Sequence, residues 1–273
     1  IQMVTGLKTI RKINNLDSFS IINLTIDIGY NEIRFILYDN IENILLDYTD
    51  ITFEDSANVE DIISKYFDAK EDSNLLNLIT VNHYNSLHTI VPQALFDKNN
   101  IKNYLKFNNS LLANDEFQYD VIKINESINV FVPIKFNISN LQKYSKKVTQ
   151  KHYTTDLINE IHKIEKNNTN SNLYLNINNS KIDIILISDN QLKFINTFDY
   201  STNQDIVYYV LFCFEQLNLN PENSPVIIAG NFNESTYNMI FKYIRNVSIY
   251  ESKIDLNHKF YLNFKHKLTY NSL

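Results

Sequence analysis

The chain uses one pattern twice. Residues 21–49 read as three consecutive strands and are followed by a helical stretch at 57–68; residues 172–199 again read as three strands and are followed by a helical stretch at 202–217. In the first copy Ile22, Leu24, Ile26 and Ile28 alternate with more polar residues, the period of a strand with one strongly buried face. Asp39-Asn40 then supplies turn chemistry between the second and third strands, as Asp189-Asn190 does in the second copy. Each copy is expected to form a sheet backed by a helix. The fold class is therefore α/β with mixed sheets, in two βββαβα-type halves set around a cleft. The polar run at 166–172 is taken as the joint, dividing the chain into 1–170, a first half with inserted helices and a hairpin, and 171–273, a second half.

Between the two copies the signals are less regular. A strand is expected to return from Leu75 to Val81, and Pro92 to open a short helix, since its fixed φ and missing donor suit a helix start. A second short helix is expected near Ile101, then a hairpin from 118–124 and 127–134 turning at Asn125-Glu126, and helices at 138–146 and 154–166. In the second half Thr202, with Asp205 three positions on, resembles a capping box. The helix it opens carries Ile206, Val207, Val210, Leu211, Phe214 and Leu217, and Tyr208, Tyr209 and Phe212 widen its apolar surface, so burial on several sides is expected. A buried strand at 225–230 precedes a helix capped by Asn233 or Ser235, and the tail reads as a strand at 258–264. In the first copy Ser56 or Asn58 is the expected cap.

Composition narrows the function classes. With 44% hydrophobic and 21% charged residues in 273, the chain has the make-up of a folded domain or two. Cys213 is the only cysteine, which excludes an internal disulfide and a multi-cysteine zinc site; set in an apolar run, it reads as an inert core thiol. No apolar run reaches about 18 residues, so no membrane span is expected. The N-terminus lacks the layout of a secretion signal, and a cytoplasmic location is expected. A net charge of −6 argues against a nucleic-acid partner, the one basic stretch being the C-terminal Lys253, Lys259, Lys265, His266 and Lys267.

The scarcity of glycine, three residues in all, limits phosphate-binding loops. Asp27-Ile28-Gly29 ends the first strand of the first copy. An Asp followed two residues later by Gly suits hydrated magnesium beside a closely approached phosphate, and it equally suits an ordinary strand end with a turn. The matching tip of the second copy, Asn176 to Ser180, has neither glycine nor carboxylate; asparagine tolerates positive φ, and Asn178-Asn179 also reads as a simple hairpin turn. Ala229-Gly230-Asn231 joins a strand to a helix, where an adenosine or phosphate would meet a helix N-terminus, or where the chain merely turns. His83 and His88, five apart with no acidic or thiol neighbour, do not have the spacing of a metal site, and no metal ligands are expected. No Gly-x-Ser-x-Gly elbow, Walker loop or His-Glu-x-x-His motif occurs, and no catalytic residue is assigned.

The run 196–202 (Asn-Thr-Phe-Asp-Tyr-Ser-Thr), followed by Asp205, Tyr208-Tyr209, Leu211-Phe212, Glu215-Gln216-Leu217, Pro221 and Ile228-Ala229-Gly230, resembles an uncharacterised bacterial family catalogued as a domain of unknown function. Val91-Pro92, Leu95-Phe96-Asp97 and Tyr104-Leu105 match its pattern as well. The resemblance implies a duplicated actin-like ATPase fold, of the ribonuclease H-like kind, and no established activity. In ATPases of that superfamily both halves carry an acidic, glycine-containing phosphate loop. Here Asp27-Ile28-Gly29 matches the first, Asn176 and Asn178 stand where Asp and Gly belong in the second, and Gly230 keeps the adenosine loop. The expected function is a non-catalytic binding or scaffold module with a degenerate nucleotide cleft, no obligatory cofactor and another protein as partner. The alternative is a nucleotide-binding protein with weak ATPase or phosphotransferase activity, in which Asp27 holds the magnesium of ATP and Gly29 and Gly230 admit the nucleotide.

Overall fold

The computed structural model describes residues 4–11, 21–41, 44–54, 58–69, 76–107, 109–145, 147–166, 168–178 and 180–250. Ser56, the tail strand expected at 258–264 and the basic C-terminal stretch lie outside the described residues.

Along the chain run β1 (Val4–Arg11), β2 (Ile22–Ile28), β3 (Glu32–Asp39), β4 (Ile44–Phe53), α1 (Val59–Asp68), β5 (Leu78–His83), β6 (His88–Pro92), α2 (Ile101–Leu105), β7 (Gln118–Ile122), β8 (Ser127–Phe131), β9 (Val148–His152) and α3 (Tyr153–Glu165). They are followed by β10 (Asn172–Ile177), β11 (Lys181–Ser188), β12 (Gln191–Asp199), α4 (Asn203–Gln216), β13 (Val226–Gly230), α5 (Glu234–Phe241) and β14 (Val247–Ile249). Two compact units result. One comprises residues 1–88, 97–120 and 129–155, the other residues 89–96, 121–128 and 156–273.

The first unit holds a six-stranded sheet in the order β1-β4-β3-β2-β5-β9, and the second a five-stranded sheet in the order β12-β11-β10-β13-β14. In each, the three meander strands are antiparallel and the strand after the helix returns parallel to the first of them, β5 beside β2 and β13 beside β10. The duplication is thus a repeat of topology, strand by strand. A further sheet of three strands has the order β6-β8-β7.

Alternation explains the cores. Leu24, Ile26 and Ile28 of β2 pack with Ile33 and Phe35 of β3, Ile79 and Val81 of β5, and Ile62, Ile63 and Tyr66 of α1. Tyr66 stacks on Phe35 with ring centroids 3.8 Å apart, while its hydroxyl donates to Asp47 at 3.1 Å. In the second unit Leu173, Leu175 and Ile177 of β10 meet Ile206, Val210, Cys213 and Phe214 of α4. The opposite faces of β2 and β10 are also largely buried, with Asn23, Asp27 and Asn176 inside, so these central strands are covered on both sides and polar on one.

Caps follow local chemistry. Asn58 accepts the Glu60 N–H at the start of α1 (2.9 Å), and Thr202 with Asp205 forms the expected reciprocal box at α4. Asn233, and not Ser235, caps α5. Several expectations are corrected. Pro92 ends β6, with φ −54° and ψ 134°, and only a single 3-10 turn follows it. The stretch expected as a helix at 138–146 is a 3-10 helix, Ile138–Lys143; its apolar residues Ile138, Leu141 and Tyr144 fall three apart, which matches three residues per turn better than 3.6. α4 is not buried on several sides: Tyr208 is 62% exposed and Phe212 41%. β1, β9 and β14 escape a reading from alternation. β9 contains one apolar residue, Val148, and is a strand because β5 offers it a parallel ladder.

Gly230 shows how tightly the second sheet is closed. Its φ is +93°, and a Cβ there would lie 2.0 Å from the Ile177 carbonyl oxygen. Gly230→Ala is expected to lower stability by about 2–4 kcal/mol, through left-handed strain and a backbone clash, as read by urea unfolding; an unchanged midpoint would contradict this packing.

Candidate functional site

β2 ends at Ile28, so Asp27 stands at the tip of the central strand, two residues before Gly29, which opens the turn. The ladder registers place Asp27 opposite Arg34 of β3 and Asn82 of β5, and Arg34 opposite Asp50 of β4. Opposed residues share a face, so the four side chains form one polar row across the sheet. The row is internal: Asp27 and Arg34 are each 1% exposed. Asn82 donates to Asp27 Oδ1 at 2.9 Å, the Arg34 guanidinium lies 3.6 Å from Asp27 Oδ2 and 3.4 Å from Asp50, and it also pairs with Glu32. One guanidinium therefore serves three carboxylates, with its flat face 4.8 Å from the centre of the Tyr84 ring. Tyr48 donates to Asp50 at 3.1 Å, and burial pushes its hydroxyl well above the ordinary tyrosine range, so it remains a donor.

Gly29 is needed at close quarters. Its N–H donates to the Glu32 carbonyl at 2.8 Å, and a Cβ on it would lie 2.8 Å from Glu32 Cγ. The space that a side chain would use is filled by Glu32, whose carboxylate folds back onto Arg34. Asp27 and Gly29 belong to the first unit and Gly230 to the second, where Gly230 pairs with Ile177 and Asn231 donates to the Ile177 carbonyl at 2.6 Å.

The second unit repeats the row with other residues. Asn176 is opposite Asp183 and Ala229, and Asp183 opposite Thr197. Asn176 thus takes the place of Asp27, Asp183 that of Arg34, Thr197 that of Asp50 and Ala229 that of Asn82. Asp183 is fully buried and accepts from Asn176 and from Thr197, both at 2.7 Å. Asn178 donates to the Lys181 carbonyl at 2.8 Å just as Gly29 does to Glu32, and does so without a positive φ. Each oxygen of the Asp183 carboxylate thereby receives a neutral donor.

The first unit also contains a histidine network that the sequence does not reveal. His83 follows Asn82 on β5; its Nδ1 accepts the Ile134 N–H at 3.0 Å, so Nε2 carries the proton and donates to Gln150 at 2.9 Å. His152 Nε2 donates to the Asn85 carbonyl at 3.1 Å, and its Nδ1 accepts from the Thr154 hydroxyl at 2.6 Å, which in turn accepts from Asn129 at 2.9 Å. His88 lies against His152 with ring centroids 4.5 Å apart. Burial holds all three rings neutral, pushing His83 and His88 down to about 4 and His152 well below its ordinary value. Among the described residues no helix is long and apolar enough to cross a membrane, and burial pushes the Cys213 thiol up to about 12.

Of the sequence-derived candidates, Asp27, Gly29 and Gly230 all lie at strand ends. Arg34, Glu32, Asp50 and Asn82, which define the surroundings of Asp27, were not singled out. Arg34 did leave a signal, a charge within the otherwise apolar run Ile33-Arg34-Phe35-Ile36-Leu37.

Arg34→Met should cost about 3–5 kcal/mol, because it strands buried carboxylates without their counter-charge; chemical denaturation reads this directly. The histidines set an acid limit. Unfolded imidazoles take up protons near pH 6.5 while the folded ones resist down to about 4, so stability present above pH 6.5 is lost as the pH falls toward 4, by up to about 1.4 kcal/mol per pH unit for each histidine. Urea midpoints between pH 7.5 and 4.5 test this, and His83→Gln should flatten the slope.

The description "Protein of unknown function (DUF3822)" belongs to a family model that matches residues 12–247, and the chain belongs to that family. No curated protein matches it in sequence. In structure it is similar to a Bacteroides thetaiotaomicron VPI-5482 protein with an actin-like ATPase fold and unknown function, with a TM-score of 0.77, 18% identity, and coverage of 90% of this chain and 97% of that one. It is also similar to a chain of the PilM-PilN type IV pilus biogenesis complex, with a TM-score of 0.56, 7% identity, and coverage of 84% and 88%. The fold is thus that of the actin-like ATPases.

Proposed function

We propose that this member of a family of unknown function uses the actin-like ATPase fold as a non-catalytic binding or scaffold module, with a degenerate nucleotide site and a protein as its partner. The observation that carries the reading is the engagement of Asp27. A carboxylate that holds hydrated magnesium turns its oxygens toward solvent and the ion's water shell. Asp27 is 1% exposed, accepts from Asn82 and faces the Arg34 guanidinium. Turning it outward would break a buried ion pair.

Three further features support the reading. Glu32 sets a carboxylate beside the Gly29 turn, where a phosphate would need room and positive potential. Asn176 and Asp183 satisfy each other in the second unit. Gly230 is required by the Ile177 backbone, so its presence does not depend on a ligand. The residues present therefore do not fit magnesium ATP, and no phosphoryl-transfer step is derived from them. For the partner, the net charge of −6 disfavours nucleic acid. α4 turns Tyr208 and Phe212 outward, aromatic groups of the kind enriched in protein interfaces. A chain of the same fold occurs in the PilM-PilN complex, a likeness of fold alone that is consistent with service in an assembly.

The test is calorimetric titration of the chain with ATP and magnesium, beside Asp27→Asn. No binding heat and no hydrolysis are expected at millimolar ATP in either protein. Micromolar binding that weakens in the variant would overturn the reading in favour of a nucleotide-binding protein with weak ATPase or phosphotransferase activity.

A further inference from the structure

The two sheets differ at one edge. In the first, the outer side of β4 is paired antiparallel with β1. In the second, the corresponding strand β12 is the last of the sheet, and no strand among the described residues pairs with its outer side. β12 is nine residues long, enough to template another strand.

Its geometry fixes which groups face outward. Phe194, Asn196 and Phe198 lie opposite Leu186, Ile184 and Ile182, and the Tyr200 N–H donates to the Ser180 carbonyl at 3.0 Å. Antiparallel alternation then directs the backbone groups of the even-numbered residues 194–200 toward β11, and those of Ile195, Thr197 and Asp199 outward. Two side-chain contacts agree with this direction: the Thr197 N–H donates to Asn196 Oδ1 at 3.0 Å, and the Leu192 N–H to Asn125 Oδ1 at 3.3 Å. The latter covers the beginning of the strand, so the stretch that no strand among the described residues pairs on its outer side is 193–199.

We propose that this stretch pairs antiparallel with the same stretch of a second copy of the chain, joining two five-stranded sheets across a two-fold axis at Asn196. The sequence of the edge is self-complementary about that residue. Ile195 falls opposite Thr197 as a pair with outward hydrogen-bonding groups, Phe194 opposite Phe198, which also stacks on Tyr209, and Lys193 at one end opposite Asp199 at the other, twice over, Asp199 keeping its own pair with Lys181 across β11. Opposite charges and aromatic pairs are the cross-strand combinations that stabilise a ladder. Centring the axis on Ile195 would instead set Lys193 against Thr197 and forgo the charge match. A two-fold contact of one patch with itself closes the assembly at two copies. The Asn196 side chain, which shields one outward N–H in the single chain, must turn away when the ladder forms, as a reversible edge protector would. This inference is independent of the reading of Asp27.

Sedimentation velocity on the full chain tests it. A strand-to-strand contact is small, so a monomer–dimer equilibrium is expected with a dissociation constant on the order of 1–100 µM. Ile195→Pro removes an outward N–H and no bond to β11, and should weaken association at least about tenfold with an unchanged circular dichroism spectrum. Asn196→Cys should form an intermolecular disulfide on oxidation, since the two copies would meet at that non-hydrogen-bonded pair and the only other thiol, Cys213, is buried. A monomer at about 200 µM overturns the proposal, as does an Ile195→Pro variant that folds and associates like the parent. Should that variant not fold, the Asn196→Cys cross-link decides: its formation supports the proposal and its failure overturns it.

Discussion

The Arg34 guanidinium is the charge on which the first sheet depends. It sits 1% exposed on the face of β3 turned away from α1, and Asp27, Glu32 and Asp50 converge on it. Carboxylates of this kind are stable inside a protein only when each finds a counter-charge or donors. Arg34 supplies the counter-charge to all three and a hydrogen bond to Glu32, because a planar, delocalised guanidinium can face several carboxylates at once. Removing it from the picture leaves no account of why β2, β3 and β4 are polar at the same level of the sheet.

The second unit meets the same problem with other residues. Its row has one acid, Asp183, where the first has Arg34, and neutral donors from Asn176 and Thr197 fill both oxygens. The backbone ladder is the same in both units, so the topology does not dictate the chemistry of the row. What the topology dictates is position: the last residues of the central strand and of the parallel return strand meet the first residues of the antiparallel strand on one face. A fold of this type concentrates whatever polar residues it carries at that level, and two different sets have been made internally consistent there.

Much of this was legible in the sequence because alternation and turn chemistry agreed. The meanders, the capping box at Thr202 and Asp205, and the returning strand at 225–230 all carry local signals, and the fold class follows from their repetition. The strands without local signals were not readable. β9 has the composition of a loop and owes its form to β5; Pro92 carries the same φ in an extended strand end as in a helix start. The site was half legible. Asp27 and Gly29 were identified by spacing, but their partners come from registers, and a register is a property of the paired strands, not of either strand alone. The His83, His88 and His152 network was hidden for the same reason: His152 stands far along the chain from the other two, and only the β5 to β9 pairing brings it to them.

The glycines complete the argument about function. With three in the chain, those at strand tips stand out as candidates for a phosphate loop, because glycine lets a ligand approach the backbone. Close approach by the protein itself demands the same residue. At Gly29 the neighbour is Glu32, and at Gly230 it is the carbonyl of Ile177, 2.0 Å from where a Cβ would sit. Gly29 and Gly230 each meet an internal contact, and Asp27 faces Arg34 and Asn82. A motif whose members make such internal contacts is selected by packing as readily as by a ligand. The packing of strand ends is in this way consistent with the non-catalytic reading proposed above, and on α4 the aromatic rings of Tyr208 and Phe212 remain exposed.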